Sequence, residues 1–103
     1  MGLFSSFFGK KQRKLDDFFS REAIIIDVRS KAEYDNGAIP GSKHITLQTI
    51  AANAAKIKSW DAPIICVCAS GARSASATAI LKSKGIEVMN GGGWLSLYKK
   101  MNT

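Results

Sequence analysis

Runs of β-branched residues alternate along the chain with stretches whose apolar positions recur every three to four residues. Ala23-Ile24-Ile25-Ile26-Asp27-Val28 is a continuous apolar run closed by charges, the pattern of a strand buried on both faces. Ile64-Ile65-Cys66-Val67-Cys68, opened by Pro63, predicts a second such strand, and Ile86-Glu87-Val88-Met89 a third. Between them lie helical signals. Ser30 to Asp35 starts with a capping pair, Ser30 and Glu33. Leu47, Ile50, Ala51, Ala54 and Ile57 predict an amphipathic helix from about Leu47 to Lys58. A further helix is expected from Ser74 to about Lys84 with Gly85 as its stop, and another over Trp94–Met101. Asn36-Gly37, Pro40-Gly41 and the stretch Asn90–Gly93 read as turns, and His44-Ile45-Thr46-Leu47 as a short extended segment. Alternating strands and helices define an α/β class with a mainly parallel sheet, whose ligands bind beyond the C-terminal strand ends.

Composition narrows this to one small domain. The chain has 103 residues, 46% hydrophobic and 22% charged, which suits a globular protein and argues against a disordered one. The net charge of +7 is uneven. Residues 1–14 carry Lys10, Lys11, Arg13 and Lys14 with no acid, so this arm holds +4 and residues 15–103, the domain proper, only +3. A nucleic-acid role is therefore not expected. Leu3, Phe4, Phe7 and Phe8 would share one face of a helical arm, which suits weak membrane-surface contact or partner docking, or simply a cover over the domain. Met1-Gly2 with Ser6 also fits a myristoylation pattern. A second short helix is expected over residues 15–20. The apolar stretch precedes the positive charges, the reverse of a secretory signal, and no run approaches the ~20 residues of a membrane span. Cys66 and Cys68, one residue apart, are poorly spaced for a bridge, so free thiols in a reducing cytoplasm are expected.

The segment with chemical content is Cys68-Ala69-Ser70-Gly71-Ala72-Arg73-Ser74, between a buried strand and a helix. A strand–loop–helix junction points several backbone N–H groups at one spot, and Gly71 lets the loop curl. A thiolate at that spot is an anion in an anion-binding nest, so its pKa should fall below the free value of about 8.5. Arg73 would add a fixed charge near the rim. Such a cysteine is an activated nucleophile. Cys66, inside the strand, reads as core. Asp27 and Arg29 are expected to organise the neighbouring loops by ion pairing, Glu33 to cap a helix, His44 to be structural, and Trp94 to anchor the core.

This loop resembles the active-site loop of the rhodanese family. Ile26-Asp27-Val28-Arg29, Glu33-Tyr34 and Gly37-Ala38-Ile39-Pro40-Gly41-Ser42 are similar to the family's N-terminal signature, and Gly91-Gly92-Gly93-Trp94 to its C-terminal one. The resemblance covers about residues 15–100 and leaves the arm outside. It implies a small rhodanese-like fold with helices on both faces of the sheet. It implies a sulfurtransferase in which Cys68 takes a sulfur from a donor such as thiosulfate or a persulfide and passes it to cyanide, a thiol or a protein acceptor. The loop amides of residues 69–73 would hold the anionic sulfur, with no metal or organic cofactor. Two departures qualify it. Ala38 stands where the family often has His, and Ala69 and Ala72 leave Arg73 as the loop's only cation, so thiosulfate is expected to be a poor donor. A carrier that holds a persulfide for a dedicated partner is the second reading. A rhodanese-like phosphatase is the third, disfavoured because only four residues separate Cys68 from Arg73, one fewer than such phosphatases carry.

Overall fold

The computed structural model describes residues 3–102, and side chains from Gly9 onward. The order of elements is α1 (Leu3–Ser20), β1 (Ile24–Asp27), α2 (Lys31–Asp35), β2 (Lys43–His44), a 3-10 turn (Leu47–Thr49), α3 (Ala54–Ser59), β3 (Ile64–Cys68), α4 (Ala72–Ser83), β4 (Val88–Gly93) and α5 (Trp94–Met101). The strands form one sheet in the order β2-β1-β3-β4, every pair parallel.

Alternation along β3 builds two cores. Ile64, Cys66 and Cys68 face one side, where they join Ile26, Val88, Ala54 and Ile57 of α3 and Ala77 and Leu81 of α4. Ile65 and Val67 face the other, with Leu15 and Phe18 of α1 and Leu97 of α5. Every residue of β3 is buried, which explains its unbroken apolar run. The buried face of α4 is Ser74, Ala77, Thr78 and Leu81, at helical spacing. Three of these four are small, so the helix lies close on the sheet. The α/β class and the helices on both faces are as the sequence predicts.

Four expectations are corrected. The basic arm and the helix expected over 15–20 are one helix, Leu3–Ser20, which runs through the basic run Lys10–Lys14 without a break. The expected face of Leu3, Phe4, Phe7 and Phe8 and the Met1-Gly2 pattern lie outside what is described. The helix expected over 47–58 is broken into a 3-10 turn and α3, with Ile50, Ala54 and Ile57 still on the buried face and Ala51 exposed. The helix after the loop starts at Ala72, not Ser74. Asn90–Gly93 is strand rather than turn. Cys66 pairs with Asn90 and Val67 with Gly92, so Gly91 is the extra residue of a bulge. A Cβ on Gly91 would stand 2.6 Å from Ile65 Cγ2, and one on Gly93 2.8 Å from the Ala69 carbonyl oxygen. Glycine there allows β4 to close on β3 and on the loop that follows it. No described helix is long and apolar enough to cross a membrane.

Candidate active site

Strand β3 ends at Cys68, in the centre of the sheet, where pairing to β4 also ends at Gly93. The chain turns through Ala69 and Ser70 to Gly71, whose φ of 110° is open to glycine and costly for other residues. Helix α4 then begins. This turn aims backbone donors at one sulfur. The Gly71 N–H donates to Cys68 Sγ at 3.0 Å, the Ser74 N–H at 3.3 Å, and the Ser74 hydroxyl lies 3.3 Å from it. The Ser70 amide contributes too. The donors to Cys68 Sγ itself are therefore residues 70, 71 and 74.

Burial of Cys68 opposes ionisation, since the residue is 1% exposed. The Ser74 hydroxyl and the amides of Ser74, Gly71 and Ser70 outweigh it, and the thiol is held below its ordinary value. Cys66, two residues upstream, has no such cradle. Burial pushes its thiol up to about 12, against a weaker opposing bond from Thr78. It is core, as its place inside the strand implies.

Asn90 holds the cradle from behind. Its Nδ2 donates to the Gly71 carbonyl at 3.0 Å, and its Oδ1 accepts from the Gly92 N–H at 2.9 Å and from the Ser74 hydroxyl at 2.7 Å. The Ser74 hydroxyl has one proton and two neighbours that can accept it, Asn90 Oδ1 and a Cys68 thiolate. When Cys68 carries a proton, its S–H can point at Ser74 Oγ while Ser74 donates to Asn90. Loss of that proton leaves the sulfur an acceptor, to which the Ser74 hydroxyl can turn. Sequence reasoning missed Asn90, because a polar residue before three glycines has the signature of a turn. Ser74 was in view only as a helix start.

Arg73 lies near the sulfur, but its charge is already engaged. Its Nη1 and Nη2 donate to the two carboxylate oxygens of Glu33 at 2.7 and 2.9 Å. Arg73, backed by the Ser30 cap, draws the Glu33 carboxyl down to about 2, and Glu33 raises Arg73 in turn. The expected free cation at the rim is thus a neutralised pair. Glu33 still closes the Ser30 capping box, so one carboxylate ends a helix and holds the loop's arginine.

Asp27 and Arg29 do organise the surrounding loops. Both are buried and joined by paired bonds, Nε to Oδ1 at 2.9 Å and Nη2 to Oδ2 at 2.7 Å. The same guanidinium donates to the Gly37 carbonyl at 2.6 Å and the Glu33 carbonyl at 3.3 Å, and stacks 4.7 Å over Trp94. His44 stacks on Tyr34 and bonds the Arg29 carbonyl oxygen through Nε2, away from the sulfur. The assembly presents a depressed thiol, ringed by donors, under a short loop whose residues Ala69, Ser70 and Ala72 are exposed. Chemically it can hold a sulfur anion on a cysteine.

Comparison with known proteins bears on the family and the fold. The model of the rhodanese-like domain family matches residues 11–98. A rhodanese-like domain protein from Staphylococcus aureus is 33% identical, with 74% of each chain covered and a TM-score of 0.63. The human single-domain sulfurtransferase TSTD1 is 24% identical over 88% of this chain and 94% of its own, with a TM-score of 0.66. A protein from Rhodopseudomonas palustris described as a possible tyrosine phosphatase is 22% identical over 86% of this chain and 74% of its own, at a TM-score of 0.69. The last two likenesses carry the fold alone. A comparison with curated proteins returns no match.

Proposed function

This chain belongs to the rhodanese-like domain family, and we propose that it is a sulfurtransferase that carries sulfane sulfur on Cys68. The observation that supports this reading is the set of donors converging on Cys68 Sγ from Ser70, Gly71 and Ser74. The Cys68 thiolate attacks the outer sulfur of a donor. With thiosulfate the S–S bond breaks, sulfite leaves with the electron pair, and Cys68 becomes a persulfide anion. With a persulfide donor the leaving group is the donor's thiolate. An acceptor thiolate or cyanide then attacks the outer sulfur, taking it as a new persulfide or as thiocyanate, and Cys68 leaves as thiolate. The amides that hold the thiolate stabilise the persulfide and the departing sulfur alike.

The donor is a persulfide rather than thiosulfate. Arg73 is bound to Glu33, so the loop offers a sulfonate dianion no free cation. A carrier role, with transfer only to a dedicated partner, uses the same chemistry and is favoured by the near-complete burial of Cys68. The phosphatase reading has no comparable support, since a loop of four residues between Cys68 and Arg73 suits a single sulfur better than a phosphate.

The test is intact mass after incubation with glutathione persulfide and, separately, with thiosulfate. The expected result is a gain of one sulfur, removed by cyanide, absent in Cys68→Ser and retained in Cys66→Ala. Steady turnover with small acceptors marks an enzyme, and a single stoichiometric transfer marks a carrier. No sulfur gain, with phosphate released from an aryl phosphate, would replace this proposal with the phosphatase one.

A further inference from the structure

The lysine run of α1 is brought by the fold to the back of the cradle. Lys10, Lys11 and Lys14 line a groove of about 420 Å³ together with Lys82 from the last turn of α4, with Thr78, Met89 and Asn90 completing it. At positions i, i+1 and i+4 the three α1 lysines fall within one 100° arc of the helix. The groove reaches the site. Lys11 Nζ lies 3.8 Å from where a Cβ on Gly92 would stand, and the Gly92 Cα lies 3.4 Å from the corresponding point on Gly71. Gly71 in turn donates to the Cys68 sulfur. Asn90, which fixes the cradle, lines the groove.

The acids of the domain do not offset this charge. Five of the eight are held by other bases, Asp17 and Glu87 by Arg21, Asp27 by Arg29, Glu33 by Arg73 and Asp35 by Lys31, and the other three, Asp16, Glu22 and Asp61, do not line the groove. The four groove lysines make no ion pair among the described residues, and no acid lines the groove. Lys14 is drawn toward the Phe18 ring, at 6.0 Å, and its field reaches Glu87, which already faces Arg21. Four like charges held together without an ion pair repel one another, a cost that a matching anionic surface removes.

We propose that this groove docks an acidic segment of a protein that exchanges sulfur with Cys68, so the partner is chosen by its carboxylates and not by the small loop. The inference rests on the sulfur-transfer reading and names the class of donor or acceptor for it. Carboxylates suit the site better than nucleic acid. Among the described residues no aromatic side chain lines it for base stacking, and no arginine lines it to fork onto phosphates. Met89 at the floor adds an apolar contact that a peptide can use.

The probes are two peptides, tetraglutamyl-cysteine and tetraseryl-cysteine, offered as acceptors to persulfide-loaded full-length protein in single-turnover experiments. Anisotropy of a dye-labelled tetraglutamate without cysteine reads binding alone. At low salt the acidic acceptor should react about tenfold faster than the serine one, and the advantage should vanish at high salt. The quadruple variant Lys10→Gln, Lys11→Gln, Lys14→Gln, Lys82→Gln should lose both the advantage and the anisotropy signal, while 2-mercaptoethanol is still used within twofold of the unmodified rate. Equal rates for the two peptides, or a preference that survives in the variant, overturns the docking proposal. So does tighter binding of labelled oligouridylate than of tetraglutamate. If the protein accepts no sulfur at all, the sulfur-transfer reading fails by itself, and anisotropy with and without the four lysines still decides the groove.

Discussion

Cys66 and Cys68 occupy one strand, face one core and are 0% and 1% exposed, yet their thiols are driven in opposite directions. Burial opposes ionisation at both, and only at Cys68 do hydrogen-bond donors overcome it. In mid-strand the neighbouring N–H groups are used by the parallel ladders to β1 and β4, and the sulfur of Cys66 meets only the side chain of Thr78. At the strand end the ladder stops, and three amides are free to turn inward because Gly71 adopts a left-handed conformation. Two residues of chain separate a raised thiol from a depressed one, and the depressed one is the one supplied with unused peptide donors.

The largest effect that can break this contrast is removal of either sulfur. Cys68→Ser should lower sulfur transfer to the uncatalysed background, a loss of at least ~10³-fold on the scale of nucleophile deletions. Cys66→Ala should retain transfer within a few-fold and cost roughly 1–2 kcal/mol of stability from the small cavity it leaves. Cyanide-coupled turnover and urea unfolding read the two quantities. Transfer lost on the Cys66 change and kept on the Cys68 change would assign the chemistry to the wrong sulfur.

The next effect sharpens the account of the donors. Ser74→Ala removes a hydrogen bond to a charged acceptor, and iodoacetamide labelling of Cys68 at neutral pH should slow about tenfold or more. The labelling midpoint should move up, toward that of an ordinary thiol. Asn90→Asp should act in the same direction through its charge. A carboxylate would hold the Ser74 proton for itself and oppose a second anion behind the sulfur. Loss of folding would also raise the midpoint, to that of a free thiol, so only a raised midpoint in a cooperatively folded variant identifies Asn90 as a positioning residue.

The pH dependence in the unaltered protein follows from the two directions. A depressed thiol labels faster at neutral pH than an ordinary one, and its rate falls on acidification through a midpoint below the free-cysteine value of about 8.5. The Cys66 thiol, at about 12, should stay unlabelled across that whole range unless the domain opens. Two labels taken up together at pH 7 would show that the sheet does not protect Cys66 and would remove the contrast.

Much of this was legible in residue patterns, for a physical reason. Strand β3 is buried on both faces, so its composition alone carries its location, and the short loop to α4 holds Cys68 and its donors within seven consecutive residues. The capping pair Ser30 and Glu33 is similarly local. What escaped was long-range. Asn90 stands 16 and 19 residues from Ser74 and Gly71, and glycines 91–93 read as a turn although closeness to Ile65 and Ala69 demands Gly91 and Gly93, and a φ of 83° favours glycine at 92. The engagement of Arg73 by a carboxylate 40 residues away has no local signal at all.

That engagement supplies the smallest prediction. Glu33→Gln keeps the side chain's shape and an oxygen that can accept from the Ser30 cap, while it removes the charge that neutralises Arg73. The pair is half exposed, so the freed guanidinium would act through a screened field. Thiosulfate should gain from it, with KM falling two- to fivefold at low ionic strength and kcat little changed, while a small persulfide donor of single charge gains less. The sign is specific. If Arg73 already met the donor in the unaltered protein, cutting its tie to Glu33 would loosen it and raise KM instead. A raised KM would therefore restore Arg73 as a direct anion contact, and a lowered one would show that its carboxylate partner sets the donor preference of the loop.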